Sequence, residues 1–251
     1  ADAFMKHYGV TEAGNFEGKT ILTFTGSMDE RATLSEARQR LLEARQRRTA
    51  PDRDEKVHVA WNGLLMAAFA EAGQVLERDD YLRAAEANAD FLLDELRDVN
   101  GRLQHVWIDG KVKVPGFLED YSHLIEGLLA LYQATFESRW YVEAQALTDA
   151  MTEHFRANVG FYDTADDAED LIVRPREVQD NATPSGNAMA ATVLLKLARF
   201  SGETAYEEIA RGSLASMQAL MARHPLGFGQ WLTALTDALA TPTEIAIVGD
   251  S

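Results

Sequence analysis

Apolar and polar residues alternate along the chain in a way that predicts two kinds of helix. In the first kind, apolar residues surround the helix on nearly every side after a polar start, which is typical of a helix buried all round. In the second kind, apolar residues occupy one face, as in a surface helix. The first kind covers residues 57–73, 118–135 and 184–201, and the second kind covers residues 81–96, 139–156 and 206–221. The chain therefore predicts three helical hairpins, each with an inner helix followed by an outer one.

A repeated helix pair that cannot cover its own apolar face must pack against the neighbouring pairs, either in an open solenoid or in a closed ring. Inner helices without a polar face favour the ring, because an open array would expose their apolar side chains to water on its concave side. The predicted fold is therefore all-α, an (α/α) toroid. Residues 227–240 predict one further helix.

Short β-hairpins are predicted in the connections that follow the outer helices, at the face where the next inner helix begins. Residues 101–114 alternate around Asp109-Gly110, a strong hairpin signal, and residues 160–173 are also rich in strand formers. Near the N-terminus, residues 35–48 predict a charged helix and residues 20–24 a short strand. A last short strand is predicted at residues 244–248.

The composition narrows the classes of partner. The formal net charge of −16 speaks against nucleic-acid binding, because phosphate contacts need clustered lysine and arginine. No apolar run reaches the roughly 18 residues of a membrane span, so we expect no membrane partner. Cysteine is absent, which excludes thiol chemistry within this segment and fits a cytoplasmic location.

A polar cluster at the start of the third inner helix gives the strongest indication of a site. The string Asp180-Asn-Ala-Thr-Pro-Ser-Gly-Asn187 gathers a carboxylate, two amides and a hydroxyl at the mouth of an apolar helix. Thr183 is the predicted N-cap and Pro184 the first helical residue. Gly186 in the first turn costs about 1 kcal/mol relative to alanine, which suggests a close approach to the backbone there.

Polar clusters at equivalent places on the other inner helices extend this site. In a ring such side chains converge on the axis, and the positive ends of the helices favour oxygen-rich ligands. Acid pairs, amides and aromatic platforms suit a carbohydrate-like small molecule. The predicted catalytic residues are Asp120 as general acid/base, with Asp54 or Glu119 as the partner carboxylate. The predicted substrate-binding residues are Trp61, Asn62, Tyr121, Arg174, Asp180, Asn181, Ser185 and Asn187.

Each of these residues also has a purely structural interpretation. Glu119 or Asp120 can be the first-turn acid that caps its helix. Trp61 can be a core residue, and Arg174 can pair with a nearby carboxylate.

The sequence predicts neither a metal nor a cofactor. The six histidines show neither HxxH nor HExxH spacing, and the chain has neither a glycine-rich phosphate loop nor a Gly-x-Ser-x-Gly elbow. His58 and His123 lie near the predicted mouth. They are the candidates for the base that a sugar epimerase would need.

Several strings together resemble one family. They are Asp54-Glu-Lys56, Trp61-Asn-Gly-Leu64, Gly116-Phe-Leu-Glu-Asp-Tyr121, Leu171-Ile-Val-Arg-Pro175, Pro184-Ser-Gly-Asn187 and Glu244-Ile-Ala-Ile-Val-Gly-Asp250. The set is similar to the C-terminal part of thioredoxin-domain-containing proteins related to spermatogenesis-associated protein 20. That part is a six-hairpin toroid like N-acylglucosamine 2-epimerase and the six-hairpin glycosidases. The resemblance implies that residues 1–251 form a single incomplete domain, a partial (α/α)₆ toroid. It places the thioredoxin-like domain and the first toroid helices outside this chain.

Two functions follow as hypotheses. The first is a sugar-active enzyme of the 2-epimerase or glycoside hydrolase type. The second is a non-catalytic module that presents the thioredoxin-like domain or docks a partner. Geometry separates them: the enzyme needs its acids and amides in one cavity, whereas the module allows them to be used up in helix caps and ion pairs.

Overall fold

The computed structural model describes residues 1–168, 172–241 and 243 of the 251-residue chain. The chain divides into two compact units, Ala1–Asp54 and Glu55–Ser251. The organisation of residues 1–251 as one incomplete domain stays a prediction.

The first unit contains three short helices, α1 (Asp2–His7), α2 (Met28–Thr33) and α3 (Ser35–Gln46), so the helix predicted at residues 35–48 is confirmed. Helix α2 begins with a capping box, in which Ser27 Oγ accepts from the backbone N–H of Glu30 and the Glu30 carboxylate accepts from that of Ser27. The strand predicted at residues 20–24 is wrong. Its amides bond to the Asn15 side chain and to the Tyr8 carbonyl instead of to a second strand.

The second unit consists of helical hairpins in the predicted order. Its helices are α4 (Val59–Val75), α5 (Asp79–Glu95), α6 (Leu118–Thr135), α7 (Ser138–His154), α8 (Gly186–Ser201), α9 (Thr204–Arg223) and α10 (Gly229–Leu239). The inner helices α4, α6, α8 and α10 pack side by side in that order. The outer helices α5, α7 and α9 each pack on the inner helix that precedes them. This arrangement confirms the predicted partial (α/α)₆ toroid.

Helices α4 and α6 approach closely at two glycines. A Cβ atom at Gly63 would lie 2.5 Å from the carbonyl oxygen of His123, and one at Gly127 would lie 2.6 Å from that of Gly63. No side chain fits at either distance without moving the backbone. The two glycines therefore set the spacing between the first two inner helices and, with it, the position of their starts.

The expectation that every inner helix is buried on all sides is wrong for α4. Its side chains Trp61, Leu65 and Val75 are 62%, 46% and 74% exposed. These positions form one stripe of the helix, since they recur at helical spacing. Helix α4 comes first in the row, so α6 covers one side of it and leaves the stripe open. By contrast, α6 and α8 each pack between two inner helices and are buried along most of their length.

A small antiparallel sheet precedes the inner helices. Its strands β1 (Val57–His58), β2 (Gln104–Ile108) and β3 (Lys111–Pro115) pair in the order β1-β2-β3. The β2–β3 turn is Asp109-Gly110, with positive φ at both residues (50° and 73°), so this predicted hairpin is confirmed. Since β1 runs directly into α4 and β3 comes just before α6, the sheet lies at the N-terminal face of the inner helices.

The second predicted hairpin, at residues 160–173, is wrong for the residues described there. They form only an isolated bridge between Arg156 and Phe161. The strand predicted at residues 244–248 lies outside the described residues. Over the described ranges, no helix combines the length and apolar character needed to cross a membrane.

Candidate functional site

Helix α8 starts at Gly186, two residues later than the sequence predicted. Ser185, not Thr183, is the N-cap: its extended backbone precedes Gly186, and its Oγ accepts from the N–H of Ala188 at 3.2 Å. Gly186 is needed because a Cβ there would lie 3.0 Å from the backbone nitrogen of Glu119. The close approach inferred from this glycine therefore involves the start of α6.

Near the start of α8, the side chains of Asp180 and Asn187 hydrogen-bond to backbone groups of the surrounding segments. The carboxylate of Asp180 accepts from the N–H of Ser185 at 2.9 Å and from that of Gln230, at the start of α10, at 2.8 Å. The buried Asn187 amide accepts from the N–H of Phe161 at 2.9 Å and donates to the carbonyl of Glu177 at 3.2 Å. Both predicted ligand-binding groups thus have their polar atoms engaged by backbone.

Asp120 is fully buried at the third position of α6 and holds three elements together. One carboxylate oxygen accepts from the N–H of Ala60, in the first turn of α4, at 3.1 Å. The other accepts from the N–H of Phe117 at 2.8 Å and lies 2.9 Å from Nδ1 of His105. With both oxygens engaged, the carboxylate has no surface to offer to a ligand.

His105 and His58 extend from this carboxylate as a chain of polar contacts. Nε2 of His105 lies 3.3 Å from Nδ1 of His58. The hydrogen bond with Asp120 raises the pKa of His105, aided by the charges of Asp120 and Glu119, while burial opposes the shift. The sequence pattern placed His58 near the predicted site but did not indicate His105. The only signal for it was the alternation of β2, which turns His105 to the opposite side from the buried Val106.

Glu119 lies next to Asp120 but faces a cavity of about 300 Å³ between the starts of α6 and α8. The cavity is lined by Phe117, Glu119, Asp163, Glu177, Gln179, Asn181, Thr183, Pro184, Ser185 and Gly186. The predicted residues Glu119, Asn181 and Ser185 are therefore brought together, as expected for equivalent positions of two inner helices.

Two carboxyl groups in this cavity share an unusual environment. Burial raises the pKa of Glu119, and the neighbouring carboxylates of Asp120 and Asp163 add to the shift, which His105 opposes. Burial also raises the pKa of Asp163, although its carboxylate accepts from the N–H of Glu177 at 2.7 Å. Asp163 was not predicted from the sequence, because it lies in an irregular connection with no motif or periodicity to mark it.

Tyr121 and Arg174 belong to the framework around the site. The buried Tyr121 hydroxyl accepts from the N–H of Leu103 at 3.0 Å and from Nε of Arg102 at 3.2 Å. Arg174 donates to the carbonyls of His154 and Thr164 and stacks its guanidinium on a neighbouring tyrosine ring. Their predicted contacts with a ligand stay predictions.

Trp61 and Asn62 lie on the first turn of α4, beside His58. The Trp61 ring is largely exposed, and its centroid lies 4.8 Å from that of His58. Asn62 donates from its amide to the carbonyl of His58 at 2.8 Å. Asp54 is the last residue of the first unit, whereas the other predicted residues belong to the second.

His123 is enclosed in α6 near the starts of α4 and α8. Burial lowers its pKa to about 4, while nearby backbone groups of Pro184 and Ala60 oppose the shift. Among the residues that the structure describes, neither ring nitrogen has a hydrogen-bond partner. The imidazole is therefore neutral at physiological pH, which does not suit it to a proton-accepting role in an open site.

His123 gives the protein a specific sensitivity to acid. In the unfolded chain His123 binds a proton with a pKa of about 6.5, and in the folded chain only with a pKa of about 4. The contribution of His123 to the free energy of unfolding is therefore fully present above pH 6.5 and is lost as the pH drops towards 4. We expect this group alone to remove about 2 kcal/mol between pH 7 and pH 5. The free energy of unfolding, measured with urea at both pH values, should fall by about 2 kcal/mol less between pH 7 and pH 5 in His123→Leu than in wild type. In His224→Leu, which replaces an exposed histidine, it should fall as in wild type. If the free energy of unfolding changed equally with pH in wild type and in His123→Leu, the acid sensitivity would not come from His123.

Within the part of the chain that the structure describes, one group of side chains has ligand atoms close enough to hold a cation. The candidate ligand atoms of His154, Asp166 and Asp167 lie within 4.8 Å of one another. However, Arg102 already pairs with Asp167 at 3.0 and 3.1 Å, and His154 bonds to Asp166 at 3.0 Å. Both carboxylates of this group are thus already hydrogen-bonded to protein side chains.

The fold and this site define a partial (α/α)₆ toroid protein with a polar cavity between the starts of two inner helices. The chain is a homologue of spermatogenesis-associated protein 20, as the sequence motifs indicated. The human protein is 32% identical over 280 residues, which cover 98% of this chain and 36% of that protein. The mouse protein is 31% identical over the same length. The chain thus spans about a third of the length of the curated relatives it matches, and no protein-family profile matches it.

Solved structures with the same fold include carbohydrate-active enzymes. Cellobiose 2-epimerase from Spirochaeta thermophila aligns with 76% of this chain and 56% of its own, at 16% identity and a TM-score of 0.55. A GH76 α-mannanase from Bacteroides thetaiotaomicron aligns with 75% of this chain and 54% of its own, at 15% identity and a TM-score of 0.58. At these identities the likeness concerns the fold alone.

Proposed function

We propose that the protein binds a carbohydrate-like small molecule in the cavity between the starts of α6 and α8, and that Glu119 and Asp163 exchange protons with it. The observation that carries this proposal is the pairing of two carboxyl groups in one cavity, each with a pKa raised by burial. Catalytic acids and bases need pKa values shifted towards the working pH, and such shifts cluster at functional sites.

The cavity also suits a sugar in size and polarity. About 300 Å³ is at the lower end of the range for small-molecule pockets. Carboxylate, amide and hydroxyl oxygens in its lining match the hydroxyl groups of a pyranose. The N-terminal ends of α6 and α8 favour oxygen-rich ligands at the same place. The fold supports the proposal too, since the solved structures named above include a cellobiose 2-epimerase and an α-mannanase.

The proposal changes the roles assigned from sequence. Asp120 was predicted to be the general acid/base, but its carboxylate is buried and engaged by two backbone N–H groups and His105. Glu119, one residue earlier on α6, faces the cavity. Glu119 therefore takes the acid/base role in this proposal, with Asp163 as its partner, and Asp120 becomes a positioning residue.

The non-catalytic module stays the alternative function, and a specific observation favours it. Asp120, Asp180, Ser185 and Asn187 all use their polar atoms to cap helices or fasten loops. A rigid ring that supports a thioredoxin-like domain in the longer protein would need only those bonds. The thioredoxin-like domain and a cytoplasmic location stay predictions.

The test uses cellobiose and a manno-oligosaccharide as probes. We expect saturation-transfer NMR to detect binding of at least one probe, and Glu119→Gln or Asp163→Asn to weaken it about tenfold, because each change removes a charge-assisted hydrogen bond. If turnover is detected, Glu119→Gln should lower kcat by about 100-fold or more. The control is Glu208→Gln, on the exposed side of outer helix α9.

Two outcomes would count against the proposal. If both probes bind equally well to wild type and to the double variant Glu119→Gln/Asp163→Asn, the sugar site lies elsewhere. If neither probe binds to this chain or to the longer protein that contains it, the module function is favoured.

A further inference from the structure

We propose that a second cavity, beside the one that Glu119 faces, binds a small organic acid, and that Arg102 holds the carboxylate of that acid. This cavity has a volume of about 640 Å³ and lies between the α5–β2 connection, the end of β3 and the segment after α7. It shares Phe117 with the first cavity and, among the described residues, no other part of its lining. Its volume is within the usual range for small-molecule pockets.

A buried tyrosine fixes the guanidinium group of Arg102 in the lining of this cavity. Nε of Arg102 donates to the Tyr121 hydroxyl at 3.2 Å, and the same hydroxyl accepts from the backbone N–H of Leu103 at 3.0 Å. Tyr121 is buried, and only 19% of the Arg102 side chain is exposed. An arginine held through Nε presents its two terminal nitrogens as a fork. Little side-chain freedom is therefore lost when a planar anion binds to that fork.

A carboxylate of the protein already occupies the fork. Nη1 and Nη2 of Arg102 donate to the two carboxylate oxygens of Asp167 at 3.0 and 3.1 Å. These hydrogen bonds lower the pKa of Asp167. Two parallel bonds of nearly equal length are the geometry in which arginine recognises a carboxylate. The pair therefore shows which chemical group the fork accepts.

Asp167 can be replaced by a ligand, because water reaches its side chain. That side chain is 61% exposed, and exposed ion pairs contribute little to stability. When a ligand carboxylate takes its position, Arg102 exchanges one negative partner for another, so the charge beside the guanidinium does not change. Asp98, a second acid of the lining, accepts with one oxygen from the N–H groups of Asn100 and Arg102 at 2.9 and 2.8 Å. Asp167 thus acts as a tethered competitor of the ligand.

The rest of the cavity selects the body of the acid. Its lining includes the apolar side chains of Leu103, Phe117 and Ala165, of which Leu103 and Ala165 are buried. Val114, also in the lining, has a φ of 66°, which a β-branched residue rarely adopts. Backbone strain of this kind is concentrated at ligand and active sites. Apolar walls around one fixed cation fit an acid with a flat or branched apolar body better than a polyol.

The test compares an acid with its neutral amide. Phenylacetate and phenylacetamide have nearly the same shape, but only phenylacetate is charged at neutral pH. The ¹H–¹⁵N NMR titration of the intact chain is made at physiological salt, which screens the net charge of −16. We expect phenylacetate to shift the Nε–H signal of Arg102 and to bind about tenfold more tightly than phenylacetamide. Neither probe is a sugar, so the result is separate from that of the sugar-binding experiments.

Substitutions of the two partners should change binding in opposite directions. Asp167→Asn removes the charge of the tethered competitor and should tighten phenylacetate binding about tenfold. Arg102→Gln removes the fork and should weaken binding about tenfold or more, and Arg102→Lys, which keeps the charge without the fork, should also weaken it. The matched control is Asp80→Asn, which breaks another half-exposed pair, Arg78 to Asp80 at 2.6 Å, and should leave binding unchanged.

Loss of folding cannot produce tighter binding, so Asp167→Asn tests the site even where Arg102→Gln is unstable. If phenylacetate binds equally well to wild type, Asp167→Asn and Arg102→Lys, Arg102 does not hold the carboxylate and the acid site is refuted. The acid site is also refuted if phenylacetate shifts no signal of this cavity in either wild type or Asp167→Asn.

Discussion

Replacing Asp120 with asparagine is expected to lower the free energy of unfolding by about 3–5 kcal/mol, the usual cost of breaking one partner out of a buried charged network. The carboxylate accepts from the N–H groups of Ala60 and Phe117 and from His105. An asparagine has one oxygen, and whichever way it is turned, its NH₂ group meets a donor. At least one buried N–H then loses its acceptor, and His105 loses its counter-charge.

This loss can be followed in the second unit alone. All four tryptophans lie there, so their fluorescence during urea unfolding reports on that unit. Asp90→Asn is the matched control, since Asp90 pairs with Arg139 at 2.7 Å but both side chains are about half exposed. Such a pair contributes roughly 0–1 kcal/mol. If Asp120→Asn cost no more than Asp90→Asn, the buried network would not hold α4, α6 and β2 together.

Gly63→Ala should be the second most damaging change, even though alanine is the better helix former by about 1 kcal/mol. The added methyl group would lie 2.5 Å from the carbonyl oxygen of His123 and 2.7 Å from the backbone nitrogen of Leu124. These are backbone atoms of α6, so α4 itself must move away. We expect a net loss of about 2–3 kcal/mol, typical of overpacking a tight helix contact.

Gly212→Ala provides the opposite result in the same protein. Gly212 lies within outer helix α9, and a Cβ there has open space around it. This substitution should stabilise the chain by up to about 1 kcal/mol through helix propensity and the smaller entropy of the unfolded chain. The comparison is made by urea unfolding at one pH. A stabilising Gly63→Ala would show that α4 and α6 do not depend on that close approach.

The site was only partly predictable from the sequence. The apolar stretches predicted where the inner helices begin and so predicted that Glu119, Asn181 and Ser185 lie close together. In the structure these three residues line one cavity. Asp163 and His105 could not be found in this way, because an irregular connection and a short strand carry no helical period. Their positions follow from loops folding back onto the start of α6, where the N–H of Leu118 donates to the carbonyl of Asp163 at 2.9 Å.

The roles of adjacent acids show the same division. Glu119 and Asp120 look alike in sequence, as two acids in the first turn of a helix. On α6 consecutive side chains point about 100° apart, so one enters the cavity while the other turns into the contact with α4 and β2. Only the packing of neighbouring elements decides which of them meets solvent and which becomes a buried anchor.

By itself, the sequence determined the alternation of inner and outer helices, the hairpin at Asp109-Gly110 and the family resemblance, since each is written in local periodicity, turn chemistry or strings of residues. The tertiary structure decided that α4 keeps one open apolar face, that Gly186 at the start of α8 packs against Glu119, and that Asp120 meets His105. Those features depend on contacts between residues far apart in the chain, and no local pattern records which long-range contact is made.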